Sequence, residues 1–247
     1  MRHVILLISA LSVAIGFAAA SGATEPTPEQ ATVIAKIRKL GGTVLSCEGA
    51  SGKMKFDVIL DGSQVTDEAL GLVRQLVNPP GLVLMGDRVN DAVLKSLKKP
   101  EDFQWLVLAE TNVTDVGLKR LKEFTQLRML GLDKTQIRGD GLKHLSGLRH
   151  LEVLSLWGTQ VSDTGLEHLK KALPNLKELD LRATSVTDAG LEHLKELRQL
   201  QKVVLRDTQV TGAGVKGLQK ALPKCKITWE PPTKDERQSS AAPDQLR

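Results

Sequence analysis

The stretch LWGTQVSDTGLEHL, Leu156–Leu169, recurs with small changes along the chain. Upstream stand LAETNVTDVGLKRL from Leu108 and LDKTQIRGDGLKHL from Leu132; downstream come LRATSVTDAGLEHL from Leu181 and LRDTQVTGAGVKGL from Leu205. The threonine of each copy marks a period of 24 residues, at Thr111, Thr135, Thr159, Thr184 and Thr208, with one insertion in KKALPNL. Two degenerate copies, LVLMGDRVNDAVL and VILDGSQVTDEAL, put Asp87 and Ser63 at the same place, which makes about seven. Such self-similarity predicts a solenoid, because one copy cannot bury its apolar face alone and stacked copies can.

Within a copy, LEVLSL predicts a short strand whose alternate side chains point inward. DTGLEHLKKAL then places Leu166, Leu169 and Leu173 on one helical face. Leu151, Leu154, Leu156, Thr159 and Val161 fit L-x-x-L-x-L-x-x-N-x-L, with Thr where Asn usually stands. On these residues the chain resembles leucine-rich repeat proteins, closest in wording to a bacterial T-x-V-T-D-x-G-L subclass and more distantly to the repeats of F-box proteins. The resemblance implies an α/β solenoid, a horseshoe with a parallel β-sheet on its concave face and helices on its convex face.

The ends of the chain read differently. Residues 1–23 begin with a basic Arg2, continue in an apolar run from Val4 and reach small residues at Ala18 and Ala20, the pattern of a cleaved signal peptide. The run is shorter than a membrane anchor needs, so a secreted or periplasmic mature chain without a stable membrane span is expected. Residues 24–57 read as an N-terminal cap: Thr27 and Pro28 open a helix carrying Val33, Ile34 and Ile37, Gly41 stops it, and two strands follow. The repeats occupy 58–229, and 230–247 lacks apolar periodicity, as a disordered tail would.

Composition excludes some functions. The 247 residues are 41% hydrophobic and 26% charged, as in a globular protein. The net charge of +5 is not gathered into a basic run, and aromatics make up 3% with no Tyr, so nucleic acid is not an expected partner. Cys47 in the cap and Cys225 in the last repeat should lie on the order of 30 Å apart, too far for a disulfide.

Several columns of residues invite a chemical reading. Asp67, Asp91, Asp115, Asp163 and Asp188 precede helices, where carboxylates satisfy free N–H groups, so capping is expected rather than cation binding. The Thr column is assigned to backbone hydrogen bonds in the turns. His144, His168 and His193 share one repeat position, yet neighbouring helices are a side-chain layer apart, too far for joint zinc ligation, and no metal or cofactor is expected. No nucleophile–His–carboxylate arrangement, metalloprotease motif or phosphate-binding glycine loop is present, so no catalytic residues are assigned. Asn112 opens an N-V-T glycosylation pattern, which stays open.

The residues between the inward leucines should face outward on the concave sheet, the surface such horseshoes bind with. Val83, Met85, Trp105, Val107, Met129, Val153 and Trp157 form an apolar patch there, and Asp180, Arg182 and Arg206 a charged one beside it. Trp and Met favour interface cores. The expected function is therefore a non-enzymatic binding module for another protein or an extended polymer, with a structural or adhesive envelope protein as the alternative and an enzyme behind both.

Overall fold

The structure is a computed structural model that describes residues 25–48, 54–76, 81–97 and 103–231. The expected signal peptide at 1–23, the turn between the first two strands and most of the expected tail lie outside these residues.

The chain opens with α1 (Pro28–Lys39), started by a capping box in which Thr27 and Gln30 bond each other's backbone N–H. Its Val33, Ile34 and Ile37 are buried, and Gly41 ends it with φ 89°. Strands β1 (Thr43–Glu48) and β2 (Met54–Asp61) pair antiparallel. From β2 onward each copy contributes one strand and one helical segment: α2 (Asp67–Val73), β3 (Gly81–Met85), α3 (Asp91–Ser96), β4 (Trp105–Ala109), α4 (Asp115–Leu121), β5 (Met129–Gly131), a 3-10 segment (Asp140–Gly147), β6 (Val153–Ser155), α5 (Asp163–Ala172), β7 (Glu178–Asp180), α6 (Asp188–Leu194), β8 (Lys202–Val204), α7 (Gly212–Ala221) and β9 (Lys226–Thr228). The nine strands form one sheet in chain order, parallel from β2 to β9.

The register runs straight through the repeats: Val58, Leu82, Leu106, Leu130, Leu154, Leu179, Val203 and Ile227 face one another in turn. These side chains meet helix residues such as Leu94, Leu118, Leu142, Leu166 and Leu191 in one continuous buried cluster. Phe103 and Phe124 join it with ring centroids 6.0 Å apart.

Two polar columns order the repeats, one closing a turn within a copy and one reaching between copies. In the first, the hydroxyls of Thr135, Thr159, Thr184 and Thr208 each donate to the carbonyl three residues earlier, Leu132, Leu156, Leu181 and Leu205, at 2.7 Å. The turn these bonds close has its preceding residue left-handed in every copy, at Gly62, Gly86, Glu110, Lys134, Gly158, Ala183 and Asp207. Four of these are not glycine, so the turn geometry outweighs their intrinsic penalty.

The second ladder corrects the sequence expectation for the Asp column. Most of the helices are capped by the preceding residue, as in Thr114 to Val116 N–H or Thr187 to Ala189 N–H. The Asp, one residue later, instead reaches to the next copy. Asp163 accepts from Thr187 N–H at 2.8 Å and from the Thr187 hydroxyl at 2.7 Å, and Asp91–Thr114 and Asp188–Thr211 repeat this. A carboxylate thus orients the hydroxyl that caps the following helix.

The glycine column is the third part of this device. A Cβ at Gly117, Gly190 or Gly214 would collide with the Oδ1 of Asp91, Asp163 or Asp188. Where Gly139 replaces Asp and Arg138 the capping Thr, the device changes: Asp115 still reaches across, accepting from the Arg138, Gly139 and Gly141 N–H groups, but position 139 offers no carboxylate to the copy that follows. The segment after it is 3-10 rather than α, without a side-chain cap, and in the next copy Ser162 makes no capping bond. Gly139, at φ 121°, packs against Gly165 instead.

Candidate functional site

The face of the sheet away from the helical cluster carries the outward rows in the expected register. Asp57, Gly81, Trp105, Met129, Val153, Glu178 and Lys202 are successive partners, as are Ile59, Val83, Val107, Gly131, Ser155, Asp180 and Val204. Val83, Met85, Trp105, Val107, Ala109 and Met129 form a second apolar cluster, with Ile59 and Val153 packed against it. Among the described residues only strands contribute to it, so the sheet is apolar on both faces from β2 to β6.

The exposure of this cluster departs from the sequence expectation. Val83 is 0% and Trp105 5% accessible. Part of the reason is local: the Trp105 indole lies across the neighbouring strand at Gly81, where any Cβ would overlap the ring. Gly81 thus clears room for Trp105, and replacing Trp105 opens a cavity rather than trimming a free surface.

Trp157 is held differently. It follows β6, half-buried, with Lys134 Nζ 4.9 Å and Arg182 Cζ 5.0 Å from the ring centroid. These cations come from the copies on either side, so the indole stands between them and is fixed by two cation–π contacts. Arg182 is itself locked to Asp180 through Nε at 3.0 and 2.9 Å and Nη2 at 2.6 Å. Lys134 pairs with Glu110 at 2.8 Å. Arg206 lies outside this array and pairs with Glu230 at 2.8 Å. Of the sequence-assigned residues, Val83, Met85, Trp105, Val107, Met129 and Val153 therefore come together, Trp157, Asp180 and Arg182 form an adjoining unit, and Arg206 stands apart.

Two carboxylates that sequence reasoning passed over belong to the same face. Asp133 is buried beside Trp157 and accepts a hydrogen bond from the Ser155 hydroxyl. Burial pushes its carboxyl up to about 6 against the opposing Ser155 bond, with Asp180 adding to the rise. Asp57, at the edge of the apolar cluster, is pushed up to about 7 by burial. Its Oδ1 has no hydrogen-bond partner among the described residues. A signal existed for both: each is an acidic residue at an outward strand position amid apolar neighbours.

The raised carboxyl of Asp133 has a measurable consequence. Between its ordinary value of 3.8 and about 6, the folded chain holds a proton that the unfolded chain releases. Its contribution to stability is thus full below about pH 4 and falls by about 1.4 kcal/mol per unit as pH rises toward 6. Asp133→Asn removes this dependence. Urea titrations at pH 4 and pH 7 should show the variant gaining on the wild type by about 2 kcal/mol between the two; an unchanged difference would place an ionised Asp133 in the folded chain throughout.

His144, His168 and His193 lie on the 3-10 segment, α5 and α6, whose apolar residues pack on the other face of the sheet. The imidazoles and the shifted carboxylates are thus on opposite sides. Among the described residues no three His, Cys, Asp or Glu side chains converge as metal ligands would. Cys225 is buried before β9, at the far end of the sheet from the β1 backbone that carries Cys47; the Cys47 side chain lies outside the described residues.

A sequence profile described as a leucine rich repeat matches residues 172–195, which run from the end of α5 through β7 into α6. The fold is that of a leucine-rich repeat solenoid. Internalin C2 of Listeria monocytogenes is similar in structure, with a TM-score of 0.53 and 22% identity over 73% of this chain and 82% of that one. A leucine-rich repeat protein of Leptospira interrogans aligns at 23% identity and a TM-score of 0.44 over 58% of this chain; the chain spans 34% of its length. The mouse RP105/MD-1 complex aligns at 20% identity and a TM-score of 0.49, over 65% of this chain and 28% of that one. Comparison with curated proteins returns no match. At these identities the likeness is one of fold.

Proposed function

We propose that this leucine-rich repeat protein is an exported, non-enzymatic binding module that takes up another protein on its concave face. The observation that carries the reading is the half-buried Trp157, held by two cations at the border of the second apolar cluster. An apolar centre beside an ordered aromatic anchor is the composition of a protein interface core. The same geometry favours a protein over a polysaccharide. Two cations already occupy the Trp157 ring and Trp105 is buried against Gly81, so neither offers a free ring to a sugar.

Export rests on residues 1–23, and Edman sequencing of secreted material should begin near Ser21 or Thr24; a start at Met1 would overturn it. No helix among the described residues is long and apolar enough to cross a membrane. For binding, the informative variant is Trp157→Ala, because the half-buried ring can be removed without opening the repeat core. Loss of a central aromatic costs about 2 kcal/mol or more of binding, roughly 30-fold in affinity. Partners captured from the extracytoplasmic fraction by the wild type should be lost with the variant while its melting curve stays close to wild type. Undiminished capture by a folded variant would move the binding surface elsewhere.

A further inference from the structure

Val83 and Val204 stand in the same row of the concave face, each with a strand on either side. Val83 is 0% accessible, whereas Val204 is only half-buried. Lateral packing between strands therefore does not shield Val83 by itself. Among the apolar residues of this face, full burial is confined to β3, β4 and β5; Ile59 before them and Val153 after them are half-buried. Those three strands span about 10 Å, and an α-helix with its side chains is about 10–12 Å across. The shielded zone has the width of one helix laid along the strands.

Among the described residues only strands contribute to the cluster. The remaining segments are 1–24, 49–53, 77–80, 98–102 and 232–247. The last four read GASGK, VNPP, KKPED and PTKDERQSSAAPDQLR, each short or polar. The first alone holds a long apolar run, VILLISALSVAIGFAAA from Val4 to Ala20, without a charge. Wound as a helix, this run would be about 25 Å long. It would place Val4, Leu7, Ile8, Leu11 and Ile15 on one stripe, with Ser9, Ser12 and Gly16 on the opposite side.

Chain direction agrees. The short link Leu40–Gly42 turns α1 back into β1, which is antiparallel to β2, so α1 starts at the end of the sheet where the parallel strands start. A helix that leads from the concave face into α1 thus runs against the strands and carries its amino terminus to their far end. Glu110 stands at that end, directly after β4. Its carboxyl is held below the ordinary value by the hydrogen bond and the charge of Lys134 and, against a smaller effect of burial, by the positive amino terminus of the chain.

We propose that Val4–Ala20, while still attached, lies as one helix along β3–β5 and covers the concave cluster of its own chain. An apolar stripe then meets Val83, Met85, Trp105, Val107 and Met129, and the serines face water. The consequence, a binding face opened by cleavage, rests on the proposed concave binding; the occupancy itself does not.

The full 247-residue chain, synthesised without a signal peptidase and shown to be monomeric by light scattering, tests this. Hydrogen exchange of the wild type should protect the amides of residues 4–20 at least about 100-fold over an unstructured chain. Leu11→Asp sets an unpaired charge on the apolar stripe and should expel the helix. Hydroxyl-radical footprinting of that variant should show several-fold more oxidation of Met85, Trp105 and Met129, with Trp229 unchanged. Ser9→Asp, on the opposite side, should leave all four as in wild type. Free exchange of residues 4–20 in a monomeric wild type, or oxidation in a folded Leu11→Asp equal to wild type, would overturn the proposal. Protection found only in oligomers would do so too, by making a second copy the source of the helix. Should Leu11→Asp not fold, exchange in the wild type decides alone. A mature chain that captures no partner would count against the concave binding and leave these results untouched.

Discussion

Leu154→Ala is expected to destabilise the fold by about 2–5 kcal/mol, a large share of what a domain of this size has. Leu154 is fully buried, and its strand neighbours Leu130 and Leu179 belong to copies on either side. A cavity there cannot be filled from within one copy, since each repeat contacts only its neighbours and the leucine above and below are held in register by the ladder. The same truncation one position along, Val153→Ala, removes a side chain that is only half-buried on the opposite face and should cost less than about 1 kcal/mol. Urea unfolding of the two variants reads this contrast. Equal losses would mean that the two faces are not energetically distinct.

The second large effect is expected between copies. Asp163→Ala strips the Thr187 N–H and hydroxyl of a charged acceptor at once, and should cost about 2–4 kcal/mol. Gly190→Ala should cost about 1–3 kcal/mol by driving a methyl group into the same carboxylate. The two losses share one cause, so they should not add. With Asp163 already removed, the nearest remaining contacts of the added methyl of Gly190→Ala are Leu166 and Val186 at 3.1 Å, which need give by only a few tenths of an ångström. A double-mutant cycle should therefore show the pair less destabilised than the sum of the singles by at least about 1 kcal/mol. Additive losses would separate the glycine from the carboxylate and leave its recurrence to the helix packing alone.

Much of this architecture was legible in the sequence because a repeat prints each contact several times. The period located the strands and the inward leucines, and the outward rows could be read by counting alternate residues from Leu151, Leu154 and Leu156. The Thr column was read correctly at Thr135, Thr159, Thr184 and Thr208 for the same reason, since the hydrogen bond closes three residues back within a single turn, whereas the buried Thr111 hydroxyl has no partner among the described residues. The Asp column was misread because its partner lies in the following copy, some two dozen residues on, where stacking and not local chain geometry brings it close.

The candidate site divides along the same line. Strand alternation, with its period of two, decided by itself which side chains leave the leucine core, and hence that Val83, Trp105, Val107 and Met129 share a face. What that face is like was decided only in three dimensions. Gly81 gains its meaning from an indole one strand away, Trp157 from cations on two different copies, and Asp133 from burial beside Ser155 and Asp180. Sequence determines contacts that recur along the chain at a fixed interval; lateral neighbours of unlike type, which set burial and ionisation, exist only once the copies are stacked about 4.8 Å apart.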